Sequence, residues 1–189
     1  MIEKIDREAA NVRAGKPGRI VAKLNGLLEP AVVKALYRAS QAGVPIDLIC
    51  RGICALRPGL PGVSETIRVR SIVGRYLEHS RIFRFENGGS SEVYVSSADW
   101  MPRNFDRRVE IVFPIEDAGL KRRLTEEVLA ATLSDAANAS LLRADGTYQR
   151  VRDGFDSHWA FEERAAGSPL DRLLPSSDVP AASSASAGP

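Results

Sequence analysis

The sequence predicts an α/β protein, a mixed and largely β sheet sandwiched by helices in a single domain. Three observations carry this. A strand-like run, a helical run and a second strand-like run follow one another near the N-terminus, which is the order of a βαβ unit with parallel strands and a right-handed crossover. Three more β-like runs come next, with a strong hairpin signal between the last two. A long helical pattern follows them. At 189 residues, 44% hydrophobic and 26% charged, the chain suits one well-cored soluble domain rather than two large ones.

In chain order, Ile2, Ile5, Ala9 and Val12 recur at helical spacing until Gly15-Lys16-Pro17-Gly18 stops the pattern. Arg19 to Asn25 reads as a short apolar strand. A helix is expected from Glu29 to Ala42, with Val32, Val33, Leu36 and Tyr37 on one side and Gly43 as its stop. Ile46 to Cys50 reads as a second buried strand, and Pro58 to Gly62 as a loop. The β-like runs are Ile67 to Val73, Ser80 to Phe85 and Glu92 to Ser96, the last two joined by Glu86-Asn87-Gly88-Gly89. A further strand, Arg108 to Phe113, ends at Pro114, and a helix from Asp117 to Leu133 places Leu120, Leu124, Val128 and Leu129 on one face. The domain is expected to span residues 1–166. From 167 to 189 the chain is rich in Ser, Ala and Pro with little to bury, and reads as a disordered tail.

Net charge is +2, from 26 basic and 24 acidic residues, a balance that does not point to nucleic acid. The basic residues are mostly Arg, which suits bidentate phosphate recognition and equally suits a GC-rich genome. No stretch approaches the roughly 20 apolar residues of a transmembrane helix. The N-terminus has mixed charge and no apolar core, so no secretory signal is expected and the cytoplasm is the default. Cys50, Cys54, His79 and His158 lack the paired spacing of a zinc site; the cysteines read as reduced, partly buried thiols, and no metal site is expected in this chain.

The densest polar constellation runs from His79 to Arg108. His79-Ser80-Arg81 opens the predicted strand, and period-two alternation puts His79, Arg81, Phe83 and Phe85 on one face. Ser96-Ser97-Ala98-Asp99 ends the partner strand and can bring hydroxyls and a carboxylate close to His79. A histidine beside an arginine with hydroxyls opposite is what phosphate-ester chemistry requires: one group to exchange a proton or phosphoryl, and cations to hold the oxygens. Arg51, after a buried strand, sits where α/β sheets place ligands, at a carboxyl end.

Several blocks resemble the last catalytic domain of the polyphosphate kinases. They are Lys23-Leu24-Asn25 with Leu36-Tyr37-Arg38-Ala39-Ser40 and Gly43-Val44; Ile49-Cys50-Arg51-Gly52-Ile53-Cys54 with the loop Leu56 to Gly62; and Tyr76-Leu77-Glu78-His79-Ser80-Arg81. Phe85-Glu86-Asn87-Gly88-Gly89, Val93 to Met101, and Arg103-Asn104 complete the series, in order, between about Ile2 and Arg152. That family is similar in turn to the phospholipase D superfamily, with its His-x-Lys-x4-Asp signature and mixed sheet. Here the stretch from His79 through Arg81 to Glu86 reads His-x-Arg-x4-Glu.

The resemblance implies reversible transfer of the terminal phosphate of ATP to polyphosphate through a phosphohistidine. His79 is then the second histidine, contacting nucleotide phosphates and exchanging the proton opposite the nucleophile. Arg51 and Arg108 are implied as ATP phosphate-binding cations. Arg81, Glu86, Ser96, Ser97 and Asp99 are pocket residues, with Asn25 and Lys23 at the end of the first strand. The phosphorylated histidine and the residues contacting Mg2+ are implied to lie in preceding domains, outside this chain. His158 lies near the tail in surroundings unlike that site. The isolated chain is therefore expected to turn over negligibly. The expected partners are ATP or ADP, polyphosphate and the upstream domains, within a homo-oligomer when complete, cytoplasmic or membrane-associated. Two other readings stand beside this one. One is a non-catalytic polyanion-binding module using Arg51, Arg81 and Arg108. The other is a dimeric phospholipase D-like phosphodiesterase in which two copies of His79 meet.

Overall fold

Strands β1 (Ile20–Leu24) and β2 (Ile46–Cys50) are buried at every position, the requirement for central parallel strands covered on both faces. They pair in parallel, with Ile20 opposite Ile46 and Leu24 opposite Cys50. The connection between them is α2 (Pro30–Gln41), so the expected βαβ unit is formed. The Glu29 side chain caps α2 through the Ala31 amide, and Pro30 occupies its first turn. The computed structural model describes residues 1–169 together with 174 and 175. The tail expected from residue 167 lies outside the described residues, apart from its first three and the pair 174–175.

The other strands are β3 (Ile67–Ile72), β4 (Ile82–Phe85), β5 (Glu92–Ser96), β6 (Val112–Pro114), β7 (Ala139–Leu142) and β8 (Tyr148–Arg150). Together they form one eight-stranded sheet in the order β6-β5-β4-β1-β2-β3-β7-β8. Among the named strands of the described residues, only β1, β2 and β3 run parallel as neighbours, and the other strand pairings are antiparallel. The β4–β5 hairpin turns through Asn87 and Gly88, at φ 51° and 66°. Such positive φ values are what the Asn-Gly pair supplies at low steric cost.

Alternation divides the sheet into two faces. Ile20, Ala22, Leu24, Ile46, Leu48, Phe83 and Phe85 pack with α2 and with α1 (Ile2–Arg13). Val21, Ile49, Ile72, Ile82 and Val93 face the other way. They meet a helical run that begins as α4 (Ala118–Arg122), widens to a π-helix over Arg123–Leu129 and ends as α5 (Ala130–Ser134). Asp117 caps this run through the Leu120 amide at 2.7 Å. Helices on both faces of a mixed sheet confirm the expected α/β class. Cys50 and Cys54 are free thiols.

Three differences from expectation have physical causes. The strand expected over Arg108 to Phe113 is reduced to Val112–Pro114, because Ser97 bonds both backbone groups of Ile111 and Glu110 turns to Asn104. The strand expected from Ser80 starts at Ile82, so His79 lies in the preceding loop, where period two does not apply. Three elements were not anticipated: β7, β8 and α6 (Ser157–Ala165), besides the single turn α3 (Pro102–Asp106).

Candidate functional site

Because β4 is antiparallel to both β1 and β5, strands β1, β2 and β5 all point the same way. The chain leaving each of them meets the others at one end of the sheet. Leu27, just beyond β1, bridges to Cys54 on one side and Trp100 on the other. The Gly52 amide donates to the Asn25 carbonyl at 2.9 Å, and the Trp100 amide to the Gly26 carbonyl at 3.1 Å. This approach requires glycine at 52, where a Cβ would lie 2.6 Å from the Asn25 carbonyl oxygen. The phenyl ring of Phe83 packs on the buried Trp100 ring at 4.9 Å and floors the arrangement.

Two sequence-predicted residues, Asn25 and Arg81, converge here on the buried carboxylate of a third, Asp99. Its Oδ1 accepts the Asn25 backbone amide at 2.7 Å and the Asn25 side-chain amide at 3.1 Å. Arg81 grips both carboxylate oxygens, from Nε at 3.2 Å and Nη2 at 2.9 Å. Burial pushes the Asp99 carboxyl up, but the hydrogen bonds from Arg81 and Asn25 outweigh it and hold the group below the usual carboxylate range. The other end of the Asn25 amide accepts Arg51 Nε at 2.6 Å, so Asn25 joins the Asp99 pair to Arg51. Among the described residues Arg51 has no other side-chain partner, which leaves both terminal nitrogens of its fork available.

Arg81 also fixes His79. Its Nη1 donates to the His79 carbonyl at 3.0 Å, and its two terminal nitrogens lie 3.1 and 3.2 Å from Nδ1 and Nε2 of the exposed ring. On either side of His79 the loop is held by buried Lys23, whose Nζ reaches Glu78 at 2.6 Å and donates to Ser80 at 2.8 Å. Lys23 is thus at the site, with its charge answered by Glu78.

The remaining predicted residues are placed differently. Ser96 is spent on a local turn with Ala98. Ser97 donates to Glu110 and accepts the Ile111 amide, so its hydroxyl is taken up within its own loop. Arg108 is exposed between α3 and β6, with no hydrogen bond or ion pair among the described residues. Glu86 is not brought to the site: it follows the far end of β4, its amide bonded to Arg19 ahead of β1 and its carboxylate to Arg84. At about 3.3 Å per residue, the five steps from Arg81 put it about 16 Å away.

Two residues of the site escaped sequence reasoning. Glu78 stands inside a recognised block, but nothing local marks it as the partner of Lys23. His158, set aside for its surroundings, is buried and lines a small cavity with Lys23, Arg51, Glu78, Thr132 and Ser157. A larger groove of about 1020 Å3 lies toward the opposite end of the sheet, but three of its four arginines are engaged, Arg19 and Arg68 by Asp47 and Arg70 by the carbonyls of Leu133 and Asp135, while the fourth, Arg143, is exposed. Among the described residues no group of three or more His, Cys, Asp or Glu side chains is placed to hold a metal ion, and no helix is long and apolar enough to cross a membrane. The carboxylates nearest His79, Asp99 and Glu78, are occupied by Arg81 and Lys23, so they do not fit a Mg2+ cage.

His79 and the partly free Arg51 are thus braced at the end of the sheet where the parallel strands finish, the place where open α/β sheets take ligands. Residues 1–160 match the family model for the polyphosphate kinase C-terminal domain 2, and the chain belongs to that family. Polyphosphate kinases of Burkholderia vietnamiensis and Paraburkholderia phytofirmans are similar to it at 60% and 59% identity, over 82% and 83% of this chain. The crystal structure of polyphosphate kinase from Porphyromonas gingivalis superposes with a TM-score of 0.82 and 41% identity, over 87% of this chain and 26% of that one. The chain spans only 22–23% of the length of those two curated relatives.

Proposed function

We propose that this chain forms one wall of a polyphosphate kinase active site, the wall carrying the second histidine. The observation that carries the reading is the braced row Arg81–Asp99–Asn25–Arg51, which links an arginine with available terminal nitrogens to the residue that holds His79. In phosphoryl transfer, charge spreads over the equatorial oxygens and catalysis is mainly positioning and electrostatic stabilisation. Arg51 takes two phosphate oxygens through its fork. His79 contacts the transferring phosphate of ATP and exchanges a proton on the side away from the nucleophile. That nucleophile is a histidine of the upstream part of the enzyme, whose residues, and not those of this chain, would hold Mg2+ and with it supply neutralising charge to the phosphates. Arg108 joins as an outer cation from its exposed segment. The complete enzyme works as a homo-oligomer on ATP or ADP and polyphosphate, in the cytoplasm or at its membrane face, and this chain alone turns over negligibly.

The engagement of Arg81 by Asp99 weighs against the other readings. A three-arginine polyanion cradle loses a member, and a phosphodiesterase dimer built on two copies of His79 loses its neighbouring cation. The test mixes the purified chain with a related polyphosphate kinase truncated before the matching domain, adds ATP and Mg2+, and follows polyphosphate. Synthesis by the mixture and by neither part alone is expected. No synthesis, with retention of polyphosphate by the chain, would move the reading to a binding module.

A further inference from the structure

The loop that carries His79 runs from Val73 to Arg81 and is exposed along most of its length. Lys23 holds it at residues 78 and 80. Its first half is held from elsewhere, by the C-terminal helix. The Tyr76 amide donates to His158 Nδ1 at 3.1 Å, and the Tyr76 ring lies 5.9 Å from the imidazole. Gly74 packs so closely beneath that an added Cβ would stand 2.8 Å from His158 Nδ1 and 3.0 Å from the Asn138 side chain. Arg75 forms an ion pair with Glu162, one turn further along α6.

The helix is itself fastened to the sheet by two carboxylates, one of them buried. Asp156 caps α6 through the amides of His158 and Trp159 and accepts the Asn138 side chain at 2.8 Å. Buried Asp135 accepts the Ser157 amide and hydroxyl at 2.8 and 2.6 Å. The Asn138 carbonyl receives the Val73 amide, where the loop departs from β3. A continuous set of hydrogen bonds therefore joins the end of β3, α6 and the loop.

His158 is not explained by packing. Its Nδ1 accepts a hydrogen bond and carries no proton, so the ring proton lies on Nε2, which is buried without a partner among the described residues. A buried N–H without a partner destabilises a fold, and phenylalanine would fill the space without that cost. The adjoining cavity of about 10 Å3 admits at most one water, so the residue does not receive a substrate. What the imidazole supplies and an apolar ring does not is the acceptor for Tyr76.

We infer that His158 is a positioning residue for His79: through the Tyr76 amide it sets the path of the loop, and α6 is the brace that holds it. The assignment rests on the proposed role of His79, but its first test does not need that reaction. Amide exchange over residues 74–81 of the whole chain is compared among three forms. His158→Phe keeps the ring and loses the acceptor; exchange at Tyr76 through Ser80 should rise about tenfold, the scale of one lost hydrogen bond, with β1 and β2 unchanged. His158→Asn offers an oxygen where Nδ1 stood and should return exchange to within about twofold of the original. Loop exchange unchanged in His158→Phe, or not restored by His158→Asn, would overturn the assignment. Should His158→Phe fail to fold, His158→Gln, whose amide lies one carbon too far out, replaces it; equal loop exchange in the Gln and Asn forms then overturns it. In the reconstituted enzyme, His158→Phe should lower kcat while KM for ATP stays within about twofold, with His158→Asn recovering kcat. A reconstituted wild type that makes no polyphosphate defeats the proposed function, and the exchange comparison still decides the role of His158.

Discussion

Asp99 is the residue on which the site turns, since Arg81, Asn25 and through it Arg51 all take their places from one carboxylate. Removing one partner of so buried a pair leaves the other charge uncompensated, and Asp99→Asn should cost about 3–5 kcal/mol at neutral pH by chemical denaturation. The pH dependence follows from the direction of the shift. A carboxyl held below its ordinary value stabilises the fold above about pH 4, and that stability is lost as pH falls through the lowered value. Glu92, tying Arg7 and Lys4 of α1 to β5, acts in the same sense, its carboxyl brought down to about 2 mainly by the Arg7 hydrogen bonds. Acid titration should therefore show stability falling between about pH 4.5 and 2, with a shallower fall in Asp99→Asn; an equal slope would remove Asp99 from the account. At this scale Arg51, His79, Arg81 and Asp99 were legible because they stand in long recognisable blocks. The Lys23–Glu78 pair was not, because 55 residues separate two side chains that only the β1–β4 pairing brings together.

Among the elements, the central ones were readable because each buries a periodic apolar set: alternating faces in β4, continuous runs in β1 and β2, a stripe in α2. The elements that escaped lack such a set. All of β8 is exposed, β7 is four residues long, and α6 buries only Ala160 among its apolar side chains while leaving Trp159 half exposed. Around these elements the carboxylates of Asp135 and Asp156 accept hydrogen bonds from Asn138 and Ser157, contacts that leave no period in the sequence. The loop after β2 offers the sharpest test at this scale. Gly52→Ala places a methyl against the Asn25 carbonyl and forces the two strand exits apart. Overpacking of this kind costs about 1–3 kcal/mol, so thermal denaturation should show Tm lower by several degrees. Activity in the reconstituted enzyme should fall further than stability does, because Arg51 moves with the loop. A variant as stable and active as the original would mean the close approach is not needed.

In the whole molecule, topology makes the site. Parallel β1 and β2 with β5 aligned beside them send three strand exits to one end of the sheet, and the β3–β4 connection brings His79 over them from the same end. The positions of the His-x-Arg-x4-Glu stretch diverge along β4 for the same reason: His79 and Arg81 precede the strand and lie at one end of the sheet, while Glu86 follows it and lies at the opposite end. Counting along the sequence kept them together, and only the direction of β4 separates them. On the proposed function such a wall would be half of an in-line transfer site, in which His79 acts on phosphate while Arg51 holds it. The most direct measurement is single-turnover phosphoryl transfer from ATP in the reconstituted enzyme, comparing the original chain with His79→Ala and Arg51→Ala. Each substitution should slow transfer by about 100-fold or more, the scale of one lost transition-state contact, with the chain still folded and still associated. Transfer at an unchanged rate in His79→Ala would contradict the account.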